Sequence, residues 1–264
     1  MPYFHSLMAQ GTTLANYHGV YHPSDENYMA IAGGDTYAVG YSYWPTIHNP
    51  NRNIADELEA KSMTWKSYEQ GMGTPCNADP NSWAATQAYD KYYYPDDAPF
   101  IHYTDIADNK ARCQAHLFDT TQLTTDLKAA RTTPDFSWVA PDDYYDGEAA
   151  GDGNAVSRAV QDGWLKQTVS QILASPAWRT QKSLLIINWD EAYSPTGTDP
   201  VNHAAAVVLG SQGSVRAGYI SNVRYDHYST ARTIEEALGI APLTANDKYA
   251  TPFNDAFRDA GQNR

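Results

Sequence analysis

The chain has 264 residues, the length of one large domain. Lysine and arginine number 18 against 31 aspartates and glutamates, a net charge of -13, which argues against a nucleic-acid partner and an anionic membrane surface. The composition, 42% hydrophobic, excludes disorder, and the longest apolar runs, Leu184 to Ile187 and Ala204 to Leu209, fall far below the roughly 20 residues of a membrane span.

Helical and strand patterns alternate, which predicts an α/β fold with a mainly parallel sheet. Pro2 to Gln10 reads as a helix ending at Gly11, and Thr12 to Tyr21 alternates like a strand. Ser24-Asp25-Glu26-Asn27 gives a cap before Tyr28, Met29 and Ile31, so a helix is predicted to start at Ser24. Asn53 to Leu58 is a short helix leading to a strand over Thr64 to Tyr68. From Gln70 to Pro99 the chain is rich in Gly, Pro, Asn, Asp and Tyr and reads as a long surface excursion, about 70–99, suited to substrate selection. Phe100 to Tyr103 and Phe136 to Ala140 are short strands. Val156 to Leu173 is the best helix, with Val160, Trp164, Leu165, Thr168, Val169 and Ile172 on one face. Ser183 to Trp189 is a continuous apolar run, as expected of a central parallel strand. Ala204 to Leu209 is a further strand, and Ser229 to Leu238 a helix closed by Gly239. Nothing forces a domain boundary, so residues 1–264 are read as one domain.

Aromatic usage is lopsided, with 20 Tyr and 7 Trp against 6 Phe, which suits the wet surface of a secreted protein. Cys76 and Cys113 have no CxxC or Cys/His company, so a zinc ribbon is excluded. Two buried thiols and a disulfide are both open; a disulfide would fit export. No signal peptide precedes Met1, so the chain reads as a mature, trimmed or late-started form.

The GxSxG, GxxxxGK[ST], HExxH and GxGxxG motifs are absent. Polar residues at strand ends remain, the edge where open α/β sheets bind ligands. In His22-Pro23-Ser24-Asp25-Glu26-Asn27-Tyr28, a helix beginning at Ser24 would set its hydroxyl beside unpaired backbone N–H groups, a phosphate-binding arrangement. The bland alternative makes Ser24 a helix cap and His22 a surface residue. Asp190 and Glu191 end an apolar strand, and such a pair either binds a cation or caps a turn. In Tyr225-Asp226-His227-Tyr228-Ser229, His227 could bind a metal or a phosphoryl oxygen, or Asp226 could be a cap with His227 exposed. The spacing of Asp142 and Asp146 permits a second cation, though a solvated acidic loop explains them better. His102 and His203 are weaker candidates.

Taken in order, His22-Pro-Ser-x-x-Asn-Tyr28, Asn53-Ile-Ala-Asp-x-Leu-Glu59, Pro75-Cys76, the Cys113 segment, Ile172-Leu-Ala-Ser-Pro-Ala-Trp178, Trp189-Asp-Glu191 and His227-Tyr-Ser-x-x-Arg-Thr-Ile-Glu235 resemble a known pattern. The chain resembles the phosphoesterase family of bacterial phospholipases C and metal-dependent acid phosphatases, within the alkaline-phosphatase-like superfamily. The resemblance runs from about residue 2 to residue 257. It implies a doubly wound α/β fold with helices on both faces, a phosphoester substrate, a divalent metal ion and a secreted or cell-envelope location. By the same resemblance Ser24 is nucleophile and metal ligand, Asn27 the phosphoryl-binding amide, Asp190 and Glu191 the metal-holding pair, and His227 the late site histidine. Asp142 falls where relatives place further polar site residues.

Three departures stand out. Relatives begin with an apolar strand ending in Glu-Asn that supplies metal ligands, and this chain starts after that point. Glu26 stands where relatives often have proline, and Ala192-Tyr193-Ser194 follows the acidic pair where they tend to have an acid or glycine. They leave open a second reading, a catalytically inactive relative that binds phosphorylated or sugar ligands. A sulfatase-like hydrolase lacks its modified Cys/Ser motif here.

Overall fold

The computed structural model describes residues 1–39, 47–77, 92–147, 155–192 and 201–258. Its helices are α1 (Pro2–Gln10), α2 (Ser24–Gly33), α3 (Ile54–Ala60), α4 (Thr104–Ala107), α5 (Lys110–His116), α6 (Thr120–Asp126), α7 (Asp143–Asp146), α8 (Ala155–Ala174), α9 (Pro176–Thr180), α10 (His227–Leu238) and α11 (Ala245–Tyr249). Its strands are β1 (Thr12–Leu14), β2 (Tyr17–His18), β3 (Trp65–Glu69), β4 (Leu117–Asp119), β5 (Phe136–Ala140), β6 (Leu184–Asn188), β7 (Ala206–Gly210), β8 (Tyr219–Ser221) and β9 (Tyr225–Asp226). They form a four-stranded sheet in the order β6-β7-β1-β8, a three-stranded sheet β4-β3-β5 and the pair β2-β9. The three-stranded sheet, the β1-β8 pair and the β2-β9 pair are parallel. The expected α/β class with mostly parallel pairing therefore holds.

Helices and chain segments cover both faces of the four-stranded sheet, which explains its apolar runs. Val207 and Leu209 meet Phe4 and Leu7 of α1 and Leu165 and Val169 of α8. Ala206 and Val208 turn the other way, onto Leu14, Tyr17, Tyr225 and Phe253. The same alternation divides β6, with Leu185 and Ile187 on the first face and Leu184 and Ile186 on the second. A strand buried on two sides needs apolar residues at every position. Apolar contact on both faces of this half-buried strand, rather than a central place, accounts for Leu184 to Ile187. The expected central parallel strand over Ser183 to Trp189 instead pairs antiparallel with β7 and, among the described residues, stands at the end of the sheet.

Two other expectations are corrected. The strand over Thr12 to Tyr21 is divided, because at Ala15 and Asn16 the chain passes from pairing with β8 to pairing with β9. Phe100 to Tyr103 is no strand: Pro99–His102 is a turn of 3₁₀ helix, with Ile101 N–H on Ala98 O and Tyr103 N–H on Phe100 O. Pro99 fixes a helical φ at its start and offers no N–H to a ladder. The helices start and stop near where the sequence places them. Asn53 caps α3 in a reciprocal box with Asp56, and Gly239, at φ 63°, ends α10 as only a residue tolerant of left-handed backbone does. α1 has no side-chain cap from Met1; Asp162 of α8 accepts from Tyr3 and Phe4 N–H instead, 2.9 Å each.

The tyrosines depart from the expected surface role. Tyr17, Tyr68, Tyr103 and Tyr225 are among the largest fully buried side chains. Three of those phenols have hydrogen-bond partners: Tyr17 faces His227 and Thr230, Tyr68 donates to Asp126, and Tyr225 donates to Asp255. Such partners offset most of the cost of burying a hydroxyl.

Of the surface excursion expected over Gln70 to Pro99, residues 78–91 lie outside the described residues. Cys76 and Cys113 form a disulfide across a sequence separation of 37, tying the segment after β3 to α5. Closing a loop of that length restricts the unfolded chain by about 3–4 kcal/mol. Replacing both cysteines by serine is expected to lower the midpoint of thermal unfolding by several degrees, and adding reductant to the double variant should change nothing further.

Candidate active site

The site is built where α2 meets the ends of β2 and β6. Ser24 is the first residue of α2, Pro23 occupies the cap position, and no side chain caps the helix. The cap alternative for Ser24 is thereby overturned, and its hydroxyl stands at the positive end of a ten-residue helix. One turn along, the Tyr28 phenol interacts with the Ser24 hydroxyl. Burial pushes the Tyr28 pKa well above its ordinary value, and the charges of Asp190, Asp97 and Asp146 push it further. A phenol held neutral thus lies beside the serine and within electrostatic reach of carboxylates drawn from three separate stretches of chain. Trp138 of β5 closes one side, edge-on at 6.4 Å between ring centres.

Much of the polar sequence pattern turns out to hold this arrangement in place. Asn27 accepts from Val20 and Tyr21 N–H and donates to Tyr21 and Pro23 carbonyls, so both ends of its amide bind backbone. His227, 0% exposed, lies between the Tyr17 hydroxyl, 2.6 Å from Nδ1, and the backbone carbonyl of Asp190 at Nε2. Burial lowers its pKa below the ordinary histidine value against the pull of Asp190 and Asp226. The alternative with His227 exposed fails, although Asp226 does cap α10, in a reciprocal box with Ser229. Asn202 stitches the two strand-end loops together: Nδ2 donates to Tyr21 O at 2.7 Å and Oδ1 accepts from Ala192 N–H at 2.8 Å.

The loops approach each other at Gly19. A β-carbon there would stand 2.4 Å from Asn202 Nδ2 and 2.7 Å from the Asp190 carbonyl oxygen. Gly19→Ala is therefore expected to separate the loops, costing about 1–3 kcal/mol of stability and at least about tenfold in turnover through displacement of Asp190. Thermal unfolding and steady-state kinetics of the same preparation check both halves.

Several acidic groups face this cleft. Asp190 Oδ2 is buried with no hydrogen-bond partner. Glu191 accepts from His22 Nδ1 at 2.6 Å, and His22, expected at the surface under the bland reading, has a side chain only 9% exposed. Asp97, Asp143 and Asp146 offer carboxylate oxygens within 4.8 Å of one another. Asp142 is 2% exposed and its Oδ1 caps α7, accepting from Tyr144 and Tyr145 N–H at 3.1 Å, which sets Asp143 and Asp146 in that group. A buried carboxylate oxygen without a donor calls for a cation or a proton. The residues present therefore fit a divalent metal, with the partnerless Asp190 oxygen and the Asp97, Asp143 and Asp146 group as the candidate donors.

Ser24, Asn27, Asp190, Glu191 and His227 thus gather at one place, and Asp142 starts the short helix that joins them. His102 and His203 stand elsewhere: His102 is 1% exposed with Nε2 3.9 Å from Asp25, and His203 is exposed with Nε2 bonded to Ala15 O. Tyr28, Asp97, Asp143 and the His22–Glu191 pair were not singled out from the sequence. Tyr28 had a usable signal, lying one helical turn beyond Ser24; Asp97 had none.

A model described as the phosphoesterase family matches residues 1–241. The acid phosphatase of Aspergillus fumigatus is 25% identical over 242 residues, 90% of this chain and 50% of its own. The phosphatidylinositol-3-phosphatase of Mycobacterium tuberculosis is 24% identical over 263 residues, 98% of this chain and 76% of its own. The chain spans about half the length of the fungal acid phosphatases it matches. Among solved structures, a protein in the alkaline phosphatase superfamily from Vibrio parahaemolyticus shares the fold, with a TM-score of 0.64 at 12% identity over 94% of this chain and 63% of that one.

Proposed function

This chain belongs to the phosphoesterase family, and we propose that it hydrolyses phosphoester bonds with Ser24 as nucleophile and a divalent metal as cofactor. The observation that carries the reading is the uncapped position of Ser24 at the start of α2, beside Tyr28 and the carboxylates that surround it. Asp190, with Ser24, would hold the metal, which when bound would polarise the phosphoryl group and favour the ionised serine hydroxyl. Everything else falls to the chain itself. The first-turn N–H groups of α2 face the phosphoryl oxygens. Tyr28, kept neutral by burial, orients the Ser24 oxygen. That oxygen forms a bond to phosphorus as the bond to the leaving alcohol breaks, and water then releases phosphate from the serine. His227 and Asn27 act by positioning, through the Asp190 carbonyl and the loop before Ser24. Asp142 is proposed to support the aspartate group rather than to touch substrate.

The acidic surface offers no long-range steering of an anion, so attraction must be local to the metal and the helix terminus. A disulfide suits an oxidising compartment, in line with secretion or a cell-envelope location, and no helix among the described residues is long and apolar enough to cross a membrane. The test is hydrolysis of a chromogenic phosphomonoester and a phosphodiester, with chelator and with divalent metal restored. Chelator-sensitive turnover supports the reading, and the better ester identifies the substrate class. Silence from a well-folded protein on both esters would favour the ligand-binding relative.

A further inference from the structure

The His22–Glu191 pair has an arrangement that the proposed chemistry leaves unused. Glu191 follows Asp190 directly, and its Oε2 is taken by His22 Nδ1 at 2.6 Å. A carboxylate only accepts, so Nδ1 carries a proton, and in that tautomer of the imidazole the lone pair is on Nε2. Nε2 is buried and has no hydrogen-bond partner, in a side chain that is 9% exposed. A buried imidazole nitrogen without a partner is costly unless something occupies it. His22 is also two residues before Ser24, in a loop fixed by Asn27 and Asn202 from both sides. Imidazoles that bind metals characteristically give their second N–H to a carboxylate, which fixes the tautomer and raises the basicity of the ligating nitrogen.

We propose that His22 Nε2 is a ligand of the metal, with Glu191 standing behind it as the carboxylate that orients the ring. This rests on the metal-dependent reading above and reassigns Glu191 from ligand to support. A site containing imidazole suits a borderline transition metal better than magnesium or calcium, which select oxygen alone.

Mn2+ supplied to the metal-free full chain tests the assignment without reference to turnover. Pulsed electron paramagnetic resonance of wild type should show nitrogen coupling from a directly bound imidazole. That coupling should vanish in His22→Ala and His22→Gln and persist in His203→Ala. Glu191→Gln should keep the coupling while weakening Mn2+ binding about 10–100-fold. Melting in chelator, where no metal contributes, confirms that each variant is folded, and the two His22 variants guard against one that is not. Nitrogen coupling retained in a folded His22 variant, or Mn2+ bound to wild type without it, overturns the assignment and leaves the metal-dependent reading standing. No Mn2+ binding to wild type, together with turnover indifferent to chelator, removes both.

Discussion

Ser24→Ala is expected to remove at least about a thousandfold of phosphomonoester turnover while changing stability by no more than about 0.5 kcal/mol. The two halves follow from one feature. Ser24 caps nothing, so its hydroxyl contributes no backbone hydrogen bond to the start of α2. What the proposed mechanism asks of the hydroxyl is the attacking oxygen, and alanine has none. Substrate binding should survive, because the helix N–H groups and the carboxylates are untouched; the loss should appear in kcat with KM nearly unchanged. A variant that keeps most of its rate removes Ser24 as the nucleophile. One that loses both activity and fold would instead show the hydroxyl to be structural.

The second large effect concerns pH. Glu69 ends β3 at 2% exposure, where Ser67 donates to Oε1 and Oε2 has no partner. Burial lifts its pKa from 4.5 to about 8. Glu235 of α10 is lifted to about 9, by burial and by Asp247 beside it, against the pull of Arg232. Between 4.5 and these values the folded chain holds protons that the unfolded chain has released. Stability must therefore fall as pH rises through that window. For Glu69 the whole effect amounts to about 5 kcal/mol at most. His227, lowered by burial, acts oppositely, losing stability as pH falls below the ordinary histidine range.

Glu69→Gln isolates the first contribution. The glutamine still accepts from Ser67 but buries an amide without an acceptor, so the variant should be no more stable than wild type near pH 4 and clearly more stable at pH 8. Thermal midpoints of both proteins across that range provide the comparison. Parallel profiles would show that Glu69 does not titrate there. Taken with Glu235, the expectation is a fold best kept on the acidic side of neutrality.

The elements around Ser24 and Asp190 were legible because each leaves a local mark. Proline then serine before an apolar helix marks a helix start, and two acids after an apolar run mark a strand end. Pairing was less legible. The run Leu184 to Ile187 announces burial on two faces but is silent on which strand lies beside it, so β6 read as central and parallel. Asp97, Asp143 and Asp146 converge only because the segments before Phe100 and after β5 meet in the fold, and no periodicity encodes that meeting. Asn27 and His227 stand out in the sequence, but their bonds to backbone and to Tyr17 do not. Asn27 and His227 look like ligand groups in sequence because buried polar networks and binding sites draw on the same side chains.

α2 adds a constraint on how this protein can change. From Asp25 to Gly33 every residue but Tyr28 is buried, and Met29 and Ala32 belong to the largest apolar cluster, with Trp65, Phe100 and Tyr103. In the proposed mechanism the nucleophile is thus the end of a rod clamped along its length by the core. A methylene lost or gained beneath Met29 or Ala32 shifts the rod, and a displacement of about 1 Å at a reacting atom can cost about a hundredfold in rate. Substitutions deep in that cluster should therefore be felt first as lost rate, at temperatures where the protein is still fully folded. Evolution of the hydrophobic interior and evolution of the chemistry are coupled through this one helix.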